Sequence, residues 1–558
     1  MTTPHRRFPA DVATATATPQ PRIVADLLRA DAYPGWSSSG VELRQTHASW
    51  VFLTDDDVFK LKRPVDLGFL DYRTLEARRE ACEEEVRLNR RLAPEVYLGV
   101  EPVRLEPAGH HLGGRGDIVD WAVHMRRLPD AASAEALLAA GRLTSGHLEA
   151  LAVTMARFLD AAPSAPRYGT QAILRANVAQ NMAQSFHVAV APGFIDLRTL
   201  EDIRRFQDQE LRLRVDRFAD RIKNGRIRDG HGDLRLEHVY FVPSGTGVES
   251  PVVIDCVEFS EAFRAGDVAS EIAFLAMELE SAERADLAGG FIARCAEALD
   301  DYDLYGVLDF YLCYRANIRA KVAAMVAVDP LSPAALRMQK RTEAQRRFAL
   351  ARACAGRSAG TPALIAVGGV IGSGKSTLAS ALGRALGAPV IGSDRTRKSL
   401  AGMRTTERGD EALYTPERTE ATYVELVRRA EVVLQSGRTA ILDATFDRSR
   451  WRELAGDVAR AFGATFAFVE ASCPDWEALR ARVRSRDERP SESDAGETLL
   501  DRYVAAGKAP SLGSETPHIV IDTRQAAPAI RERALTELAK VGISAPPGRE
   551  WPGPIGLA

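Results

Sequence analysis

Two constellations in this 558-residue chain have residue types and spacings suited to moving a phosphoryl group. The first is ALIAVGGVIGSGKSTL, residues 363–378. Ala363 to Val367 is an apolar run with the pattern of a buried parallel strand. It breaks into a glycine-rich turn and continues as a helix-compatible segment. Gly369, Gly374, Lys375 and Ser376 fit G-x-x-x-x-G-K-[ST]. Small residues such as Gly372 and Ser373 let backbone N–H groups turn inward on an anionic phosphate. The helix N-terminus that follows, Lys375 to Thr377, adds the positive end of its dipole. In such a loop Lys375 reaches the β/γ-phosphates and Ser376 ligates Mg²⁺, so the set predicts ATP binding.

The second constellation is IRDGHGDLRLEHVYFV followed by PVVIDCVEF. Asp233 leads a short loop, and Asp255 ends an apolar strand, Val252 to Ile254. Phosphoryl transfer needs two such carboxylates, Asp233 to orient or deprotonate an acceptor hydroxyl and Asp255 to hold metal. Upstream, Lys60 and Lys62 alternate with Phe59 and Leu61, so both lysines point to one strand face. A helix over about 74–92 follows and carries Glu83, Glu84 and Glu85. Strand lysine and helix glutamate together hold ATP in kinase-like folds, although lysines on an edge strand and an acidic helix are also ordinary solvated surface. His231 reads as a structural brace of the loop.

Downstream of the glycine-rich turn, Asp394 closely follows a second strand, and Arg397 lies three residues on. Asp394 can take an acceptor proton, or can simply cap a helix; Arg397 can hold an anionic part of the acceptor. Asp443 ends the strand 438–442 in AILDATF, a position from which it can hold the Mg²⁺ shell. Residues 476–489 carry Arg480, Arg482, Arg484, Arg486 and Arg489, a basic helix that can act as a lid over ATP, with Arg482 and Arg486 as its phosphate contacts and SESDA at 491–495 closing it, or that is simply a solvated basic helix. Tyr314, Arg315, Arg319 and Lys321 lie on a long helical run, 304–328. They can line an acceptor pocket or form a solvated basic face.

Stepping along the chain, 41–65 reads as two or three strands with a turn at 55–57, 100–128 as further strands, and most of 129–350 as helix. The length predicts two or three domains. Composition is globular, with 46% hydrophobic and 27% charged residues and a net charge of −3. That balance, without an aromatic-rich basic stripe, disfavours nucleic acid as a partner. Six scattered cysteines without a Cys/His cluster predict reduced thiols, no structural zinc and a cytoplasmic setting. No apolar run reaches membrane-spanning length, and the first 21 residues lack a secretory h-region.

The segments HGDLRLEH…VIDCVEF and GDVASEIAFLAMELE resemble the aminoglycoside phosphotransferase/choline kinase branch of the protein-kinase-like fold, and THASWVFLTDDDVFKLKRPV with its acidic helix resembles that branch's small lobe. The resemblance covers about 41–350. It implies Asp233 as catalytic base, Asp255 as metal ligand and Lys60 as the nucleotide lysine, with Lys62 as the fallback. It also implies Glu85 or Glu83 as the lysine's partner and Asp267 as the aspartate that braces the catalytic loop. The family's second metal-binding asparagine falls at His238, kept as a candidate metal ligand although imidazole binds Mg²⁺ poorly, which implies a phosphate contact, a site that uses one metal, or weakened catalysis. No glycine-rich loop is evident over the phosphates. Residues 362–538 resemble the predicted-kinase group of small P-loop kinases, a pattern shared in part by polynucleotide 5′-kinases, gluconate kinase and zeta-type toxins. This resemblance implies ATP-dependent transfer to a hydroxyl through Lys375, Ser376, Asp394, Asp443 and lid arginines.

The expected architecture is therefore α/β and α+β in two domains: a bilobal protein-kinase-like fold over 23–352 and a P-loop NTPase with a parallel sheet over 362–545. A linker at 353–361 and tails at 1–22 and 546–558 complete it. ATP and Mg²⁺ are the expected cofactors and a small-molecule hydroxyl compound the expected acceptor. A 5′-hydroxyl kinase of polynucleotides or nucleosides, and a nucleotide-gated regulator with an inactive first module, are the alternatives.

Overall fold

The computed structural model describes residues 21–487, apart from 69, 244–246, 248, 356–360, 405–406, 408 and 410, together with 500–501 and 518–544. The first module opens with six antiparallel strands: β1 (Glu42–Gln45), β2 (Ser49–Leu53), β3 (Asp57–Lys62), β4 (Tyr97–Glu106), β5 (Gly109–Leu112) and β6 (Asp117–Arg126). Their order is β1-β2-β3-β6-β4-β5. The period of two in β3 decides what each face does. Phe59 and Leu61 are fully buried in one core with Phe52, Val103 and Leu112. Lys60 and Lys62 face the other way, under the helix Leu75–Asn89. Thr74 caps that helix by accepting the Ala77 N–H, and Cys82 and Val86 seat it on Leu53, Val58 and Val123.

The larger lobe is helical. Its centre is the helix Val268–Ser281, in which every residue from Val268 to Leu279 is buried, Glu271 and Glu278 included. The helices Ala285–Ala298, Tyr305–Val328 and Ala334–Ala355 surround it. Two small antiparallel pairs lie where the lobes meet: β7 (Ile227–Asp229) with β10 (Ala265–Asp267), and β8 (Val239–Pro243) with β9 (Glu249–Val253). The last of the helices runs on through 353–355, residues expected in the linker.

The second module is a parallel sheet of β11 (Ala363–Gly368), β12 (Val390–Gly392), β13 (Ala440–Asp443), β14 (Thr465–Ser472) and β15 (His518–Asp522), in the order β12-β13-β11-β14-β15. All six residues of β11 are buried because both faces are covered. Ala363, Ile365 and Val367 pack on the helices Lys375–Leu386 and Ala527–Lys540. Leu364 and Ala366 pack on the helices Pro416–Gln435 and Ser449–Ala461, within a core that continues into the helical lobe of the first module. Among the described residues no helix is long and apolar enough to cross a membrane. The tails 1–20 and 545–558 lie outside the described residues.

Candidate active sites

In the first module β3, the Leu75–Asn89 helix and the end of β9 converge on one ionic cluster. Lys60 Nζ donates to Glu85 Oε1 at 2.9 Å and to Asp255 Oδ1 at 2.6 Å. Lys62, only 1% exposed, donates to the other Glu85 oxygen and to Glu258, which also accepts from the Tyr72 hydroxyl at 3.0 Å. Glu85 is therefore the lysines' partner. Glu83 is exposed and pairs with Arg79 instead. Burial raises the Glu85 carboxyl, but the two ammonium groups outweigh it and hold Glu85 below the usual carboxylate range. Asp255 is held far below that range, its burial overcome by Lys60 and His238.

Asp255 adopts a left-handed backbone, φ 63°, which aims its carboxylate back at β3. Two residues not anticipated from the sequence hold that turn. The Tyr97 hydroxyl accepts the Asp255 N–H at 3.1 Å, and Asn89 Oδ1 accepts the Cys256 N–H at 2.8 Å. The signal for both lies in contacts across about 160 residues, which no local pattern reports.

The catalytic-loop candidate is braced from two sides. His231 Nε2–H donates to the Ile254 carbonyl at 3.0 Å, tying the Asp233 loop to the Asp255 strand. Burial pushes the His231 pKa down to about 3, so the ring is neutral, as a structural brace requires. The backbone brace is Glu271, not Asp267. Glu271 Oε2 accepts from the His231 N–H at 3.2 Å and the Gly232 N–H at 3.0 Å. Asp267 is spent elsewhere, capping Ala269 N at 2.8 Å and pairing with buried Arg221. Gly232 has φ 85°, and a Cβ there would stand 2.7 Å from Arg264 Cα. Burial raises the Asp233 carboxyl against the opposing pull of His238 and Arg235.

Asp233, His238 and Asp255 form a group whose donor atoms lie within 4.8 Å of one another. Of the residues considered for an acceptor pocket, Arg315 stacks on Phe274 at 4.6 Å and Lys321 is buried against Asn181 and Gln184. Tyr314 stacks on Phe310. Arg319 turns toward the carboxylates, 4.0 Å from Glu278.

In the second module the turn between β11 and its helix has the form a phosphate cradle needs. Gly369, Gly372 and Gly374 all have positive φ, and Gly374 is the N-cap of the helix that starts at Lys375. Ser373 is fully buried beneath the turn, while Ser376 and Thr377 are exposed at the helix start. Asp443 sits at the end of β13, in register with Val367 and Gly392, beside this turn. Asp394 lies in the first turn of the helix Ser393–Leu400 and is not its cap; Gly392 holds that position. It accepts from Arg397 at 3.1 Å, and Arg397 lies over the Tyr414 ring at 4.5 Å. Arg482 bonds the Thr523 carbonyl at 2.8 Å, while the Thr523 hydroxyl donates to the Ser373 carbonyl at 2.6 Å. Arg482 and Thr523, the latter unforeseen, thus buttress the turn from behind. Arg480 turns away to Asp501. Arg486 falls on the helix Trp476–Asp487, but its side chain, Arg489 and 491–495 lie outside the described residues.

A family model described as an AAA domain matches residues 364–510. The uncharacterized proteins Rv2004c of Mycobacterium tuberculosis H37Rv and Mb2027c of Mycobacterium bovis are each 35% identical over 442 residues, covering 76% of this chain and 82% of theirs. Among solved structures, a putative aminoglycoside phosphotransferase from Ralstonia eutropha JMP134 is 12% identical, with a TM-score of 0.35 over 59% of this chain and 95% of its own. A gluconokinase from Sinorhizobium meliloti 1021 is 22% identical, with a TM-score of 0.25 over 32% of this chain and 94% of its own.

Proposed function

We propose a function from the premise that this chain, a kinase-like domain fused to a P-loop kinase, belongs to the family of the mycobacterial proteins Rv2004c and Mb2027c. It is an ATP-dependent phosphotransferase that moves the γ-phosphate to a hydroxyl of a small molecule in its first module and carries a second ATP-binding kinase module. The observation that supports this most is the ion-pair chain Glu85–Lys60–Asp255, an ammonium held by a buried glutamate beside a carboxylate that can ligate metal, the pairing that kinase-like folds use to bind α/β-phosphates.

In the first module Lys60 binds phosphate oxygens, Glu85 orients Lys60, and Asp233 holds or accepts the acceptor's proton. Asp255 and His238 are the residues that would hold a divalent cation. In the second, the turn 369–376 binds the phosphates, Lys375 neutralises them, and Ser376 with Asp443 would hold the Mg²⁺ shell. Asp394 faces the acceptor hydroxyl there and Arg397 an anionic part of it. A bound cation would supply charge neutralisation at the β- and γ-phosphates. Positioning and electrostatics account for most of such catalysis.

The test is transfer of labelled γ-phosphate to a panel of sugars, aminoglycosides, nucleosides and oligonucleotides, in wild type, Asp233→Ala, Lys375→Ala and the double variant. Each single variant should lose one acceptor. His238 at the position of a metal-binding asparagine favours a second reading, a first module that binds ATP without turnover. That reading holds if only Lys375→Ala changes the transfer.

A further inference from the structure

His238 is 8% exposed, and its two ring nitrogens have different surroundings. Nδ1 lies 2.9 Å from the Asp233 backbone oxygen. A carbonyl oxygen only accepts, so Nδ1 carries the hydrogen. Nε2 then faces two carboxylate oxygens, Asp255 Oδ2 at 3.4 Å and, at 3.5 Å, Glu237 Oε1, which is already paired with Arg235. A lone pair turned toward the Asp255 oxygen is repulsive unless a cation sits between them.

The spacing suits a metal ion. Two donors bound about 2.1 Å from one ion at 90–110° stand about 3.0–3.4 Å apart. The other Asp255 oxygen is already taken by Lys60, which leaves Oδ2 for the gap. An imidazole whose far N–H is anchored on a backbone carbonyl is the usual dress of a metal-bound histidine. Mg²⁺ disfavours nitrogen, whereas first-row transition dications accept a mixed imidazole and carboxylate set.

Resting on the kinase reading of this module, we propose that its metal site is selective for a first-row transition dication such as Mn²⁺, bound directly by His238 Nε2 and Asp255. His238 is then a specificity-determining ligand, and the site differs in metal preference from the second module, where Ser376 and Asp443 offer only oxygen.

The test uses the untagged full chain carrying Lys375→Ala, which silences the second site. Mn²⁺ is added with and without a non-hydrolysable ATP analogue, and pulsed EPR reads the nitrogen coupling to the bound ion. The expected spectrum shows a ¹⁴N coupling that changes when histidine alone is ¹⁵N-labelled and disappears in His238→Asn. The same substitution should lower the Mn²⁺-over-Mg²⁺ affinity ratio about tenfold. The labelling arm needs no substitution in the first module, so a folding defect of His238→Asn does not blur the result. Mn²⁺ and analogue bound without a histidine coupling overturns the metal assignment alone and leaves a proton as the cation between the groups. Failure of the analogue to bind the first module at all overturns the kinase reading with it.

Discussion

Lys60 and Lys62 share Glu85 but do different work. Lys60 is 14% exposed at its side chain and touches Asp255, whereas Lys62 is 1% exposed and ties Glu85 to Glu258. Lys60→Met should weaken a fluorescent ATP analogue at the first module at least tenfold, about 1.4 kcal/mol, with Glu85 still paired to Lys62. Lys62→Met should instead show up in urea unfolding, since leaving a buried carboxylate without its partner costs about 3–5 kcal/mol. If the two effects are exchanged, Lys62 is the nucleotide lysine. Glu271→Ala removes the acceptor of two loop N–H groups. It should lower turnover by about ten- to a hundredfold while analogue affinity stays put, because the residue positions Asp233 and touches no phosphate. Lys321 gives a pH signature. Burial lowers its pKa to about 8, so between about 8 and 10.4 the unfolded chain binds more protons than the folded one and stability rises with pH. The difference in urea midpoint between wild type and Lys321→Gln should therefore grow in favour of wild type from pH 8 to 10. A flat difference would show that Lys321 keeps an ordinary pKa.

At the scale of elements, the turn after β11 is the most local feature of the molecule and the easiest to read from the chain. Its glycines, its lysine and the switch from strand to helix all fall within 16 residues. The Asp233 loop was legible for the same reason. Its brace was not: Asp267 and Glu271 stand one turn apart on one helix face, and only the helix start decides between them. Because Asp267 is the N-cap, its carboxylate is committed to Ala269 N and Arg221, and Glu271 is the one that reaches the loop. Tyr97, Asn89 and Glu258 were hidden because their partners lie far along the chain. The turn itself makes a sharp prediction. Gly369 has φ 146°, and a Cβ there would stand 2.6 Å from the Ala471 carbonyl oxygen and 2.6 Å from Ser373 Oγ. A backbone oxygen of β14 cannot yield as a side chain can, so Gly369→Ala must displace the turn. In a Lys60→Met background, calorimetry should find that Gly369→Ala abolishes the remaining ATP binding, whereas Gly402→Ala, also at positive φ but with open space around it, should leave it unchanged.

Across the whole molecule, the two modules share more than a connecting peptide. β12 is the edge of the parallel sheet, and an edge strand exposes unpaired backbone groups. Here side chains of the first module cover it: Val390 N–H donates to Glu297 at 2.9 Å, and the Tyr302 hydroxyl donates to the Val390 carbonyl at 2.8 Å. Arg429 bridges the modules, reaching Asp300 at 2.7 Å and, on its own side, Thr396 at 3.3 Å and Ser399 at 3.2 Å on the helix that carries Asp394 and Arg397. Arg438 pairs with Asp309 at 2.7 Å. None of this could be read from the chain, where Arg429 looks like the ordinary charged face of an amphipathic helix and Arg438 like the polar start of a strand. Asp300 is held at φ 47°, a conformation that a chain without the Arg429 pair has less reason to keep. The continuous core beneath these contacts predicts that both modules unfold together, in one calorimetric transition. Combining Arg429→Ala with Tyr302→Phe removes the bridge and half the cover of the edge. The second module should then melt first, earlier by several degrees, since 1 kcal/mol moves the midpoint of a domain this size by about 2–4 °C. Nucleotide bound at the glycine turn should restore part of the loss, because ligand stabilises the module that holds it. A double variant that still unfolds in one transition at the wild-type temperature would mean that the apolar core alone holds the modules together. In that case the helix of Asp394 and Arg397 takes its position from its own sheet, and the first module is not needed to set it.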